Sequence, residues 1–306
     1  MSKIVFWSPL HGQGQTSNLH IIALIMSLLH KKKILMMQTH FSMNNLEGPL
    51  VGKSIDISKR ANYSIFHDIG IDAAVMYSQT NRLMGNMLES CCITFPNTSL
   101  LLLPGTETKN RETFDRDTCK AVCNMVHHAE DYVDLIMIDA NSGNDELSFK
   151  LISLADIIII NLTQSRHVLH KFLSDYGDKF SDYSKLFFLF GNYDKNAAYN
   201  IYNCRRRYKN YINRDNSAVI PYLTKYKDAQ NEGEVLAMVK EGLNICNASD
   251  MDKIKEIIKR KLKLSRYQGE DMDYFFYQAC KSVTKILNAL NMEESKSQLK
   301  RSRAWG

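Results

Sequence analysis

The chain lacks any uncharged apolar run approaching the ~18 residues needed to cross a bilayer. The run "HIIALIMSLLH" falls short and has the length of a buried helix. No internal repeat or low-complexity tract occurs, which excludes solenoid architectures and compositional disorder. The seven cysteines contain no CxxC pair. An odd number, with Cys91 and Cys92 adjacent and Cys119 and Cys123 at helical spacing, reads as reduced and mostly buried thiols rather than a disulfide frame or zinc site. The start, "MSKIVFWSPL", has one Lys and a short apolar run before a polar glycine loop, unlike a signal peptide. The expectation is a cytoplasmic protein, with any membrane contact peripheral and at the inner face.

What is present is ordinary folded-protein composition: 306 residues, 44% hydrophobic and 24% charged. That length suits a large α/β domain with an appendage. The net charge of +6 is localised. From Met251 to Gly306, 13 Lys and Arg stand against 7 Asp and Glu, so the rest of the chain is balanced.

Over the first 245 residues, β-branched or leucine-rich runs alternate with longer helical patterns, the signature of a parallel sheet wound by helices. The strand candidates are "KIVFWS", "KKILMMQ", "SLLLLPG", "DLIMIDA", "DIIIINL", "LFFLFGN" and "AVIPY". Several are apolar throughout, as expected of strands covered on both faces. Helices are predicted from near Gln15, Arg111, Asp145, Ser165 and Ala197, with a helix-rich stretch from Ile65 to Met87. After "NASDMDK" the pattern changes to basic amphipathic helices and a polar, fraying tail. The predicted division is residues 1–248 as the main domain and 249–306 as a basic C-terminal helical extension.

The stretch "SPLHGQGQTSN", Ser8 to Asn18, follows the first strand and opens a helix. Glycines there let backbone N–H groups face an anion at a helix N-terminus. The residues that would cradle a phosphate are His11, Gly12, Gln13, Gly14, Gln15, Thr16 and Ser17. The position where a phosphate loop carries its lysine is Gln15.

Laid out in order, five motifs resemble the ParA/MinD family of P-loop ATPases, over about residues 3 to 245. "LHGQGQTS" lies on the family's KGGxGKT. "KKILMMQTHFSMNN" lies on its second strand, with Gln38 and His40 where the family has acids. "DYVDLIMIDANSG" keeps Asp139. "LFFLFGNYDKN" ends in Asn192, and "IPYLTKYKDAQNEGEVL" keeps Pro221, Ala229, Asn231 and Gly233. The resemblance implies an α/β, P-loop NTPase-like fold and a nucleotide, ATP or ADP, contacted by residues 11–17, with Asn192 and Pro221 on the base side. It also implies Mg²⁺ near Thr16 and Asp139, and a homodimer formed through the loop face.

The departures bear on function. The family's signature lysine falls at Leu10, its loop lysine at Gln15, and its strand-two acids at Gln38 and His40. Phosphoryl transfer rests on positioned charge, and losing one such group costs about 10²–10⁵ in rate. The sequence therefore points to a site that holds nucleotide weakly and hydrolyses it very slowly or not at all. His11 and His40, if their strands are neighbours, could supply a proton-dependent positive charge; two ligand-free loop histidines are the plainer reading.

Members of the family that keep the fold and lose loop residues resemble the TadZ/CpaE branch, which places Flp (Tad) pilus machinery. That implies an organiser whose protein partners belong to a localisation or secretion/pilus machine. A working partitioning or MinD-type ATPase, touching DNA or membrane through basic helices, and a nucleotide-free scaffold both remain open. The basic stretches "RRRYKNYINR" and "KRKLKLSR" read either as solvated helix faces or as anionic contacts. Trp7, at the end of the first strand, is expected to fill space on the base or dimer side.

Overall fold

The apolar runs become strands because each can be buried on both faces at once. The computed structural model describes residues 1–39, 46–52, 69–106, 119–180, 182–245 and 272–304, with side chains as far as Leu243 and Asn291 in the last two segments. In chain order the elements that matter are β1 (Ser2–Trp7), α1 (Gln15–His30), β2 (Ile34–Gln38), α2 (Gly48–Val51), α3 (Ile71–Gln79), α4 (Gly85–Ser90), β3 (Ile93–Thr94), β4 (Leu100–Leu103) and α5 (Cys119–Ala129). They continue with β5 (Leu135–Asp139), α6 (Glu146–Leu154), β6 (Ile157–Leu162), α7 (Arg166–Lys171), β7 (Leu186–Tyr193), α8 (Ile201–Arg207), β8 (Ser217–Pro221), α9 (Thr224–Glu232), α10 (Val235–Ile245) and α11 (Met272–Ala304).

The strands form one sheet in the order β3-β4-β2-β5-β1-β6-β7-β8. All pairings are parallel except the short β3, which runs antiparallel to β4. The α/β class follows from this sheet and its covering helices. One expectation is corrected: β2 is not the neighbour of β1, because β5 lies between them, pairing Phe6 with Asp139 on one side and Gln38 with Asp139 on the other. The crossover from β1 skips a strand position that β5 later fills, which an apolar run cannot announce. The helix expected from Arg111 and the His40 position fall outside the described residues. The helix placed near Ala197 begins at Ile201, where Asn200 caps it by accepting from Asn203 N at 3.1 Å.

Two cores form, one on each sheet face. α1 is buried along most of its length, from Asn18 to Ser27, because α10 and α11 cover the side that the sheet does not. In α11, Phe275, Phe276, Ala279, Val283, Ile286 and Leu290 recur at three- and four-residue spacing and share this core with Ile21, Ile22 and Ile25. The same helix closes the β8 edge of the sheet: Ser282 Oγ donates to Val219 O at 2.9 Å and Lys285 Nζ to Ser217 O at 3.0 Å. Capped carbonyls of this kind keep an edge strand from recruiting another chain.

On the opposite face, Trp7 is fully buried. Its ring packs against Tyr176 at 4.9 Å, Phe180 at 5.7 Å and Phe149 at 6.0 Å between centroids. Its Nε1 donates to Gly143 O at 3.1 Å. Trp7 is therefore a core residue and does not face a base or a dimer partner. The physical reason is the pleat: alternate side chains of β1 point to opposite faces, and Trp7 shares the Val5 face. Leu10 also packs partly buried against this core. His127 and His128 stand in the last turn of α5, with His128 Nδ1 2.8 Å from Ser78 Oγ.

Candidate nucleotide site

The parallel strands bring their C-terminal ends to one edge, where open α/β sheets take ligands. The loop after β1 lies there. Gly12 and Gly14 adopt φ of 79° and 73°, a left-handed region that glycine enters without steric cost. Gly14 is the N-cap of α1 and no side chain caps it, so the first N–H groups of the helix have no intrahelical partner. The two glycines thereby let the chain turn tightly between β1 and α1.

Gln15 does not reach over that turn. Its carboxamide is buried beneath it, with Nε2 donating to Asp139 Oδ1 at 2.7 Å and to Ala140 O at 2.6 Å. Ser8 Oγ donates to Gln15 Oε1 at 2.7 Å and lies 3.0 Å from Ser142 Oγ. Thr16 Oγ1 donates to the other carboxylate oxygen, Asp139 Oδ2, at 2.5 Å. Asp139 is fully buried and holds two consecutive side chains of the loop, one at each oxygen.

The rest of the loop is tied to neighbouring strands. Gln13 Oε1 accepts from Thr163 Oγ1 at 2.8 Å and from Thr163 N at 3.2 Å, just past β6, while Gln13 Nε2 donates to His11 O at 3.2 Å. His11 itself is exposed at the tip. Asn18 Nδ2 donates to Asn161 Oδ1 at 3.0 Å, and Asn161 in turn donates to Trp7 O at 3.3 Å. Ser17 is held from α9: Tyr226 OH donates to Ser17 O at 2.6 Å and Gln230 Nε2 to Ser17 Oγ at 2.8 Å.

Asn192 sits over the loop. It is exposed, has φ of 47°, and its Nδ2 lies 3.5 Å from where a Cβ on Gly14 would stand. Pro221 ends β8, paired with Tyr193, so it stands beside the Asn192 turn and away from the loop. Residues 11–17, Asp139 and Asn192 are thus assembled at one place, and Pro221 borders it one strand further out. Ser8, Ser142, Thr163, Asn161, Tyr226 and Gln230 are added by the structure. One of them left a trace in sequence, since Asn161 is the lone polar residue in the apolar run "IIIINL".

Below Thr16 by one helical turn, His20 is fully buried, and Nε2 lies 2.7 Å from Leu46 O. A carbonyl only accepts, so Nε2 carries a proton. Its Nδ1 has no hydrogen-bond partner, and burial pushes the imidazole below its ordinary range.

A nucleotide with Mg²⁺ would meet backbone N–H groups and one hydroxyl here, and no side-chain cation. The left-handed glycines and the uncapped helix end suit phosphates. Thr16 Oγ1, while donating its hydrogen bond to Asp139 Oδ2, keeps lone pairs that could ligate Mg²⁺, which favours few protein ligands and several waters. No cluster of three or more His, Cys, Asp or Glu suited to a metal occurs among the described residues. From Ser8 to Asn18 the chain has no Lys or Arg.

No protein-family model matches the chain, and no curated protein matches it by sequence. Solved structures do match in fold. A ParA family ATPase from Chlorobium tepidum TLS superposes with a TM-score of 0.62 at 18% identity, covering 78% of this chain and 92% of its own. The septum site-determining protein MinD from Pyrococcus horikoshii OT3, complexed with Mg-ADP, gives 0.52 at 16% identity, over 78% and 89%. The MinC:MinD cell division protein complex of Aquifex aeolicus gives 0.51 at 15% identity, over 79% and 90%. The class that the fold defines is thus an α/β protein with a mostly parallel sheet covered by helices. Within it, the chain has the fold of the ParA and MinD ATPases.

Proposed function

We propose that the chain binds ATP or ADP at the Gly12–Thr16 turn and uses the bound state for assembly and positioning, with little or no hydrolysis. The observation that carries this reading is the placement of Gln15. At the position where a phosphate loop extends a cation toward the outer phosphates, this chain has a neutral amide held under the loop by Asp139, Ala140 and Ser8. Backbone N–H groups remain to hold phosphates. The side-chain charge that would stabilise a transferring phosphoryl group is missing at Leu10, Gln15 and Gln38.

The nucleotide would lie with its phosphates on residues 11–17 and its base toward Asn192 and Pro221. Mg²⁺, when bound, would supply charge at the phosphate oxygens, held on the protein side by Thr16 with Asp139 orienting the hydroxyl. A homodimer across the loop face and protein partners of a localisation or secretion/pilus machine complete the reading. The presence of nucleotide and of MinC in MinD structures of this fold supports it. No helix among the described residues is long and apolar enough to cross a membrane; contact at a membrane surface would be peripheral. The basic stretch 259–266 lies outside the described residues.

Titration calorimetry of the full chain with ADP and ATP tests the proposal. Binding that Gly14→Asp abolishes is the expected result. Absence of binding for both nucleotides, with and without Mg²⁺, would leave the nucleotide-free scaffold as the correct reading.

A further inference from the structure

From Lys195 to Arg214, twenty consecutive residues contain six cations, four tyrosines and no acid. The segment comprises the turn after β7, α8, and the connection to β8. α8 sorts its side chains sharply. Ile201, Cys204 and Tyr208 face the core, together with Ile212 beyond the helix, whereas Tyr202, Arg206, Arg207 and Lys209 face outward. Tyr202 is 72% exposed and Tyr211 40%. The Tyr211 ring is steadied by Tyr183, with centroids 5.5 Å apart.

Asp215, the residue after Arg214, sets one negative charge near Arg205 and Lys285. Among the described residues, Arg206, Arg207, Lys209 and Arg214 enter no ion pair. Arg205 is fixed on the edge strand, Nε donating to Ser217 Oγ at 2.9 Å and Nη2 to Ser217 O at 3.0 Å. Lys285 of α11 comes to the same carbonyl at 3.0 Å. The sheet edge therefore gathers positive charge from α8, the following turn and α11, with exposed rings among it.

We propose that this face docks single-stranded nucleic acid. Phosphates would meet Arg206, Arg207, Lys209 and Arg214, releasing counterions. Unpaired bases would stack on Tyr202 and Tyr211, a contact that tolerates any sequence because every base has a π-face. A duplex keeps its bases stacked internally and would leave both rings unused. A membrane surface is a poorer match, since an interfacial helix turns its apolar face to the lipid and α8 turns that face into the core.

The test is fluorescence anisotropy of the full chain with labelled single-stranded oligonucleotides, the matched duplex, and, by co-sedimentation, vesicles containing phosphatidylglycerol. The expected result is single strand bound more tightly than duplex, with Tyr202→Ala weakening it about tenfold and Tyr202→Trp retaining it. Replacing Arg206, Arg207 and Lys209 with Gln should lower affinity and flatten its salt dependence. These side chains are exposed, so the fold is spared, and circular dichroism checks that. Duplex bound as well as single strand, indifference to Tyr202→Ala, binding to vesicles alone, or no binding would each overturn the proposal.

Discussion

Replacing Gln15 with Ala separates a buried structural amide from a loop residue that faces solvent and ligand. The side chain is 6% exposed and makes three hydrogen bonds: one to the Asp139 carboxylate, one to Ala140 O and one from Ser8 Oγ. A hydrogen bond to a charged group contributes about 1.5–3 kcal/mol, a neutral one about 0.5–1.5 kcal/mol. Removing all three also strands buried partners. Asp139 keeps Thr16, and Ser8 keeps its neighbour Ser142, so some of the loss is recovered. The net expectation is about 2–4 kcal/mol of destabilisation, read as a lower urea midpoint at unchanged slope. Gln15→Glu should cost at least as much, because it sets a second carboxylate against Asp139. A loop side chain facing solvent would cost within about 0.5 kcal/mol. A loss that small for Gln15→Ala would refute the buried placement, and with it the reason given for weak catalysis.

Three further outcomes follow from other regions of the molecule. Burial lowers the His20 pKa, so below its ordinary value of 6.5 the unfolded chain binds a proton that the folded chain resists, and stability falls as pH drops; His20→Leu should flatten that stretch of a urea-midpoint profile between pH 7 and 5. Burial, with help from Arg205 and Lys281, pushes Lys285 down to about 8; the sign is that stability rises as pH climbs from about 8 toward 10.5, and Lys285→Met should remove that rise in the same measurement. Gly233 has φ of 74°, and a Cβ there would stand 1.9 Å from Gly52 Cα, so Gly233→Ala must push the two backbone segments away from each other and should lower the thermal midpoint by several degrees, about 2–4 °C per kcal/mol in the 150–250-residue range.

The sheet was legible because its strands are apolar through and through, a pattern that only double-sided burial explains. β3 was not legible: two residues within "CCITFP" carry no period. Strand order was not legible either, since nothing in β2 or β5 says which of them adjoins β1. At the site, the glycines were readable because left-handed backbone demands them, and Asp139 was readable because it ends an apolar strand in a matching motif. The partners of Gln15 were hidden. An amide gives no charge signal, and Asp139 and Ala140 lie 124 and 125 positions away. Trp7 was misjudged for a related reason, because the rings that enclose it come from 149–180 and their arrival is decided by tertiary packing.

The proposed seat binds nucleotide and lacks the side-chain charge to drive phosphoryl transfer. The most direct test is phosphate release from ATP and Mg²⁺ by the full chain at saturating nucleotide, beside the calorimetric affinity. The account predicts binding with turnover below about 0.01 per second, a rate set by what neutral donors support. Sustained turnover above that value, lost in Asp139→Asn, would contradict it.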